Sequence, residues 1–159
     1  MVDSVSDGRT TVWSVPTIAN IAAPTVAEIN AGTNLTDLIT PDGLIGFQPE
    51  TADVDNTSLG STYNTTLPGR ISISGMALRF KWQTGTDTVF NTMVYNYATN
   101  IVVRRRVAKA TAATAAQLVQ VYPVTCGETA PGDPAANELD KFDVPLKTSS
   151  QPNMRSVLA

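Results

Sequence analysis

The chain has 159 residues, of which 42% are hydrophobic and 16% are charged, and its formal net charge is −3. It contains no His, so the usual general base and the commonest protein ligand for zinc, copper and iron are missing. A single Cys cannot form a disulfide within the chain. The composition excludes most familiar enzyme classes, and we predict a non-enzymatic protein that binds no cofactor and no metal.

The length predicts a single domain over residues 1–159, with residues 1–9 as an N-terminal arm and residues 151–159 as a C-terminal arm. Thr, Ser, Asn and Val are frequent while Lys and Glu are scarce, which favours pleated sheets over solvated helices. No apolar run approaches the roughly 20 residues that a membrane-spanning helix needs, and the polar start of the chain is unlike a signal peptide. We therefore expect a mainly β protein that works in solution without a membrane partner.

The first third of the chain predicts two strands and a short helix. Residues 11–15 alternate between larger side chains and polar or smaller ones, which is typical of a strand. Pro24 and Gly32 flank residues 25–31, the asymmetry expected of a helix of one or two turns. A second strand is predicted over residues 35–39.

A long polar stretch over residues 47–69 shows little apolar periodicity and is rich in Pro, Gly, Thr, Ser, Asn and Asp. Irregular loops longer than about 15 residues are uncommon in compact domains. The stretch is therefore either disordered, a polar hairpin, or an arm that reaches another subunit.

The clearest strand pattern covers residues 76–82, where large apolar side chains alternate with small or polar ones. Ile71 and Ile73 have the opposite parity, so the alternation slips by one residue near Ser74 and Gly75. The slip predicts a bulge or a tight bend.

Residues 87–98 change to helical spacing and predict one flanking helix of about three turns. Its apolar side is expected to pack on the strand at residues 76–82. The candidate core residues from these elements are Trp13, Met76, Leu78, Phe80, Trp82, Phe90, Met93 and Val94.

The C-terminal part predicts three further strands, over residues 101–107, 118–125 and 142–146, with a loop or helical turn over residues 108–116. Pro145 falls within the last strand. Because proline has no N–H to donate to a neighbouring strand, we expect this strand at a sheet edge or a bulge.

Charge is distributed unevenly along the chain. Residues 10–69 carry a net charge of −6 and no base, whereas residues 70–109 carry a net charge of +6. These two blocks either neutralise each other within one subunit, or the acidic arm of one copy meets the basic strands of the next, which would propagate into rings or filaments. The candidate contacts between subunits are Glu50, Asp53, Asp55, Arg104, Arg105 and Arg106.

The arginine triplet within this set interrupts an apolar strand. Strict alternation places Arg105 on the side of Ile101 and Val103, which would bury a cation unless it is paired or the strand bulges. No aromatic residue is interleaved with the triplet, which disfavours specific DNA or RNA binding.

No other motif predicts chemistry. The carboxylates are scattered, and the stretch over residues 53–56 lacks the Gly and Glu positions of a calcium loop. Glycine-rich phosphate-binding motifs are absent from the sequence. Cys126 has no His to activate it and is interpreted as an inert thiol.

Several stretches form a pattern by their order along the chain. They are residues 24–33 (PTVAEINAGT), 35–36 (LT), 58–61 (SLGS), 67–70 (LPGR) and 121–128 (VYPVTCGE). Together they resemble the major tail tube proteins of long, non-contractile-tailed bacteriophages, and the resemblance runs over most of the chain.

The resemblance implies a β-sandwich or barrel-like tail-tube fold with one flanking helix, assembled as hexameric rings that stack into a hollow tube. It implies that the long loop and the terminal arms join rings, and that double-stranded DNA passes through the lumen without specific binding; it assigns no lumen-lining residues. The implied partners are other copies of the chain, a tape measure protein, a tail terminator and baseplate or distal tail proteins. The implied location is the virion tail, assembled in the bacterial host cytoplasm.

Other structural roles remain as alternatives. A capsid-decorating protein or a neck or tail-terminator protein of similar β character would form a closed small oligomer instead of a tube. A carbohydrate-binding or adhesion β-sandwich would present a concave cluster of aromatic residues, and aromatic residues make up only 6% of the chain.

Overall fold

The computed structural model of the protein describes residues 3–159. These residues form eleven strands and two short helices, so the predicted mainly β fold class is confirmed. In chain order the elements are β1 (Thr11–Val15), α1 (Val26–Ala31), β2 (Thr33–Asn34), β3 (Ile39–Ile45), β4 (Glu50–Asp55), β5 (Thr66–Ser72), β6 (Ala77–Lys81), α2 (Thr88–Thr92), β7 (Ala98–Arg104), β8 (Leu118–Cys126), β9 (Ala130–Pro131), β10 (Lys141–Thr148) and β11 (Asn153–Val157).

Nine strands form one antiparallel sheet that curls into a half-barrel. Its main path runs in the order β2-β1-β7-β8-β10-β6-β3, while β11 pairs with β8 and β9 pairs with β10. The remaining strands, β4 and β5, pair only with each other.

Strand β10 carries the sheet around its bend. Residues 141–145 pair with β6, and residues 146–148 pair with β8. Of the two settings predicted for the strand of Pro145, a sheet edge or a bulge, the sheet edge is wrong, since β10 lies inside the sheet. Pro145 is tolerated because it sits where the partner strand changes, and its carbonyl still accepts a hydrogen bond from the Gly127 N–H (2.7 Å).

Around β1, β7 and β8 both faces of the sheet are buried, each against its own hydrophobic core. Neighbouring residues of one strand enter opposite cores: Ile101 and Val103 lie in the main core, whereas Val102 lies in the second core. Strands covered on both faces contain continuous apolar runs instead of a clean alternation. This explains why all five residues of β1 are buried.

Helix α1 forms as predicted and begins with a capping box. The Glu28 N–H donates to the Thr25 hydroxyl (3.2 Å), and the Glu28 carboxylate accepts from the Thr25 N–H (2.8 Å). The second predicted helix is wrong in length, because α2 has five residues instead of about three turns. Asn96 has a left-handed φ of 66°, and its N–H donates to the Cys126 carbonyl (2.9 Å). Pairing with β8 therefore replaces further helical turns.

Two strand predictions are shifted. The predicted strand over residues 35–39 is a turn at residues 36–38 followed by the start of β3 at Ile39, and the N–H of buried Leu35 donates to the Val12 carbonyl (2.9 Å). Strand β7 ends at Arg104 instead of continuing to residue 107, and Arg106 has a left-handed φ of 67°. The turn at Arg106 directs the chain out of the sheet.

Most of the predicted long loop, residues 47–69, belongs to a hairpin of β4 and β5. The predicted C-terminal arm is not a free arm, because β11 pairs with β8 of the same chain and the Ala159 N–H donates to the Pro24 carbonyl (2.9 Å). The predicted N-terminal arm is exposed over residues 3–9, and its first two residues lie outside the described part of the chain.

The candidate core residues differ in burial. Trp13, Met76, Leu78, Phe80 and Met93 are buried. Trp82 and Phe90 are half-buried, and their ring centroids lie 4.5 Å apart. Val94 is 49% exposed, so its placement in the core is wrong. The early end of α2 accounts for this, since Val94 lies beyond the last helical residue.

Candidate assembly surfaces

The β4–β5 hairpin has two chemically different faces. Val54 pairs directly with Leu67, and Asp53 and Asp55 project from the opposite face because side chains alternate along a strand. A bulge between Thr51 and Asp53 shifts the register. The hairpin therefore combines an apolar face with an acidic one.

Neither face of the hairpin is covered by the rest of the described chain. Val54 is 50% exposed and Leu67 is 52% exposed, and neither strand contributes to the two cores among residues 3–159. A single two-stranded hairpin is marginally stable in water unless it packs against something else. The amphipathic hairpin therefore has the properties of a segment that is completed by a partner.

The predicted triplet does not act as one surface, because Arg104 is completely buried. Its guanidinium lies 5.2 Å from the centroid of the Trp13 ring, and burial lowers its pKa. No carboxylate neutralises it among the described residues. Its terminal nitrogens donate hydrogen bonds to the carbonyls of Thr111 (2.8 Å) and Ala112 (3.1 Å) and to the side chains of Gln117 (3.0 Å) and Thr11 (3.3 Å).

The prediction that Arg104 contacts another subunit is therefore wrong. Arg105, which strict alternation would bury unless it were paired or the strand bulged, is exposed. Alternation does not extend to Arg105 because β7 ends at Arg104. Arg104 instead holds the loop that follows β7, through hydrogen bonds to the carbonyls of two of its residues.

Arg105 and Arg106 are exposed and come together with Arg9 around an open pocket of about 540 Å³. Val5 and Leu118 contribute apolar surface to it. Asp3 also lines the pocket, but within residues 3–159 no carboxylate oxygen lies within 4 Å of the three guanidinium groups. We call this surface the arginine pocket.

Two ion pairs join the acidic and basic blocks within the subunit. Arg79 contacts Asp42 at 3.0 Å, and Lys109 contacts Asp37. Arg79 also binds Asp143 through two nitrogens at 2.8 and 3.0 Å, and this carboxylate is the main reason that the pKa of Arg79 is raised. The acidic and basic blocks therefore neutralise each other only partly within one subunit.

The three acids proposed for subunit contacts differ from Asp37 and Asp42, which form ion pairs within the subunit. Glu50, Asp53 and Asp55 are exposed, and in the described part of the chain none of them forms an ion pair. The pKa of Asp55 is lowered by hydrogen bonds from the side chain and N–H of Thr57, which keeps the carboxylate charged. The acidic face of the hairpin remains available to a cation from elsewhere.

The half-barrel leaves one long edge open. Strand β3 ends the sheet with β6 on one side only, and a cleft of about 880 Å³ separates it from the start of β1. Both sides of the gap line this cleft, with Val12 on one side and Ile39 and Leu44 on the other. An edge strand presents unpaired N–H and carbonyl groups, so it is a ready site for pairing with another chain.

Cys126 and the potential metal ligands are the further groups whose chemistry the sequence brings into consideration. Burial raises the pKa of the Cys126 thiol to about 11, so it stays protonated and unreactive near neutral pH. Within residues 3–159, no three potential metal ligands come together. Neither described helix is long and apolar enough to span a membrane.

Sequence reasoning missed part of the arginine pocket. Arg9 joins Arg105 and Arg106 because β1 pairs with β7, with Thr11 opposite Arg104. The alternation in residues 11–15 predicts a strand but not its neighbour. Val5 and Leu118 were also missed, because the sequence does not show which segments become neighbours in the fold.

Comparison with known proteins identifies the family of the chain. The phage tail tube protein family matches residues 1–159, and no curated protein sequence matches significantly. A chain of the cryo-EM structure of the anti-feeding prophage baseplate, 6-fold symmetrised, has a TM-score of 0.64 at 12% identity, with 98% of each chain covered.

Two similar chains come from PVC, an extracellular contractile injection system in its extended state. One belongs to the sheath/tube terminator (TM-score 0.64, 11% identity, 98% of this chain and 99% of that chain). The other belongs to the sheath-tube complex (TM-score 0.63, 11% identity, 96% of this chain and 92% of that chain). These similarities concern the fold, and the match over the whole sequence shows that the chain belongs to the phage tail tube protein family.

Proposed function

We propose that this chain assembles into stacked rings that form the hollow tube of a phage tail, a structural conduit for the genome without catalytic activity. The observation that carries the proposal is the amphipathic β4–β5 hairpin, because its apolar face packs on nothing in its own subunit. Membership of the tail tube family supplies the kind of assembly in which such an arm finds a partner.

The open edge of the half-barrel supports a ring. Edge strands promote association with other chains, and a closed ring pairs every edge and leaves none exposed, as a barrel does. The similar chain from the anti-feeding prophage belongs to a 6-fold symmetrised assembly, and we infer six subunits per ring here. The hairpin then bridges successive rings, as the resemblance to tail tube proteins implies.

The inferred lumen carries double-stranded DNA without gripping it. Cations in the lumen would bind phosphates, so a passage for DNA is acidic or neutral, which the net charge of −3 permits. The partners inferred for the tube are a tape measure protein inside it and terminator and baseplate or distal tail proteins at its ends. We place the assembled protein in the virion tail and its assembly in the host cytoplasm.

We infer a long, non-contractile tail from the resemblance of the sequence to major tail tube proteins of such phages. The two similar PVC structures belong to a contractile injection system, but 11% identity relates their fold and not their tail type. Negative-stain images of the virion distinguish the two types, since a non-contractile tail shows a single tube wall and a contractile tail shows a sheath around it.

Electron microscopy of the purified protein tests the proposed function. We expect hollow tubes of uniform width, and monodisperse monomers at every salt concentration would contradict the proposal. Val54→Asp combined with Leu67→Asp charges the apolar face of the hairpin and should abolish the tubes. Leu139→Asp combined with Val94→Asp is the matched control, because both are exposed apolar residues outside the hairpin.

A tail terminator is the second candidate function. The similarity to the PVC sheath/tube terminator is as high as that to the baseplate chain, with a TM-score of 0.64 in both cases. A terminator would form single closed rings. Rings that never stack, in the same micrographs, would favour this role over that of the tube.

A further inference from the structure

We propose that the arginine pocket of one copy is the docking site for the β4–β5 hairpin of a second copy. This inference rests on the proposed function, and it identifies the surface that receives the hairpin. The pocket and the hairpin are each unpartnered within the described subunit, and each combines apolar surface with a net charge. The net charge is positive for the pocket (Arg9, Arg105 and Arg106 against Asp3) and negative for the two strands of the hairpin (Glu50, Asp53 and Asp55 against Arg70).

The charges are complementary. Arg9, Arg105 and Arg106 outnumber Asp3 around the pocket, so its net charge is positive. Asp53 and Asp55 lie together on one face of the hairpin, without an ion-pair partner in the described chain. Guanidinium groups bind carboxylates through paired hydrogen bonds, which makes arginine well suited to such an interface.

The apolar parts are complementary as well. Val5 and Leu118 line the pocket, and Leu118 pairs directly with Val157 on β11, so apolar surface continues along this strand pair. All three side chains are between 41% and 67% exposed. They offer the kind of surface that Val54 and Leu67 of the hairpin lack in their own subunit.

Asp53 and Asp55, which lie nearer the tip of the hairpin, fit the docking contact better than Glu50 at its base. Glu50 lines the cleft of its own subunit together with Arg105, so it lies near its own basic residues. Asp53 and Asp55 line neither this cleft nor the arginine pocket of their own chain. We therefore assign Asp53 and Asp55 to the pocket of the second copy.

Nucleic acid is the competing occupant of a surface with three arginines. Binding to a phosphate backbone favours cations, and single-stranded binding also uses aromatic side chains for stacking. The pocket has no aromatic lining residue among those described, and apolar side chains lie between its cations. This chemistry favours a protein segment that is both apolar and acidic.

A charge swap tests the docking. One variant carries Arg9→Glu and Arg106→Glu, which reverse two pocket cations that line only this pocket. The other carries Asp53→Lys and Asp55→Asn, because Asn keeps the side-chain oxygen that accepts the Thr57 N–H (2.8 Å). Each variant alone should raise the protein concentration needed for sedimentable tubes about tenfold or more.

Mixing the two variants should restore assembly. In the mixture, the acidic hairpin of the first variant meets the unaltered pocket of the second, and the lysine-bearing hairpin of the second meets the acidic pocket of the first. This rescue requires a contact between copies, so a hairpin that only binds its own subunit would not show it. Circular dichroism and melting temperature check that each variant is folded.

Matched controls change the net charge by the same amount on partly or fully exposed residues elsewhere. Lys147→Glu with Lys141→Glu matches the pocket variant, and Asp133→Lys with Glu128→Gln matches the hairpin variant. These controls should assemble like the unmodified protein. If they impair assembly equally, the effect comes from net charge and the docking proposal is overturned.

Two further outcomes separate this inference from the proposed function. If the unmodified protein forms tubes and both charge variants do so equally well, the docking site is wrong while the tube remains. If the pocket variant assembles normally but no longer retards a short double-stranded DNA that the unmodified protein retards, the pocket binds nucleic acid instead. If the unmodified protein forms no tubes, the proposed function itself fails.

Discussion

Gly46 and Gly75 face each other at the base of the hairpin so closely that a β-carbon on Gly46 would lie 2.5 Å from the Gly75 carbonyl oxygen. Both residues have left-handed backbones, with φ values of 67° and 66°. They lie just beyond Ile45 and just before Ala77, where the pairing of β3 with β6 ends. These two glycines therefore set the direction in which the hairpin leaves the half-barrel.

Alanine at these two positions should have unequal effects. Gly75→Ala meets open space, so its cost comes only from the left-handed backbone and should be about 1–2 kcal/mol of unfolding free energy. Gly46→Ala adds a collision with backbone atoms and should cost about 3 kcal/mol or more. Urea unfolding measures both, and equal losses would show that the close approach is relieved without strain.

The sequence predicts a bend at only one of these two glycines. The slip in alternation near Ser74 and Gly75 predicts a bend, and Gly75 does adopt a left-handed conformation. Gly46 follows a strand whose pattern gives no sign of a partner near Gly75. The contact between them depends on the pairing of β3 with β6, and sequence periodicity carries no information about which strands pair.

Arg104→Lys should destabilise the fold, although it keeps the positive charge. Lysine offers one ammonium group where the guanidinium reaches several fixed acceptors, so buried oxygens such as the Thr111 carbonyl would lose their donors. We expect a loss of about 2–4 kcal/mol in the free energy of unfolding. Arg106→Lys is the control, because Arg106 is exposed and should change stability by less than about 0.5 kcal/mol.

Hydrogen exchange adds a local measurement to this prediction. If Arg104 holds the loop after β7, amides of residues 108–117 should exchange faster in Arg104→Lys than in Arg106→Lys. Equal exchange and equal stability in the two variants would mean that the hydrogen bonds of Arg104 contribute nothing net.

The arginine triplet also shows a limit of predicting burial from the period-two alternation of a strand. Alternation correctly separates neighbouring side chains onto opposite faces of β7, but it assumes that one face is solvated. Here Val102 and Val103 enter different cores, so burial does not distinguish the two faces. The position at which the strand ends decides which arginine is buried, and the left-handed turn at Arg106 was not predictable from an apolar pattern.

Phe80→Ala and Val94→Ala compare a buried and an exposed member of the candidate core. Phe80 is fully buried and its ring stacks on Phe142 with centroids 5.4 Å apart, so truncation should cost about 3–5 kcal/mol. Val94 is 49% exposed, and its truncation should cost less than about 0.5 kcal/mol. Thermal or urea unfolding of both variants checks the ranking. A large loss for Val94→Ala would indicate that α2 extends further than five residues.

Glu28→Gln should make the stability of the protein less dependent on pH in the acidic range. The Glu28 carboxylate accepts hydrogen bonds from the Ala19 N–H (2.9 Å) and the Thr25 N–H (2.8 Å), which lower its pKa from the usual 4.5. A lowered folded-state pKa means that the stabilisation is fully present above pH 4.5 and is lost as the pH falls through the folded-state pKa. Glutamine removes the charge and keeps one acceptor oxygen for the capping box, while its NH2 group cannot accept the second N–H.

The measurement for Glu28 is urea unfolding of both proteins at pH 7 and at pH 3. At pH 7 the unmodified protein should be the more stable of the two, and the difference should shrink at pH 3, because the unfolded chain binds a proton at Glu28 more readily than the folded chain below pH 4.5. Asp133→Asn is the control, because Asp133 is exposed and accepts no hydrogen bond from the protein among residues 3–159. A difference between the proteins that is the same at both pH values would mean that the charge of Glu28 does not stabilise the start of α1.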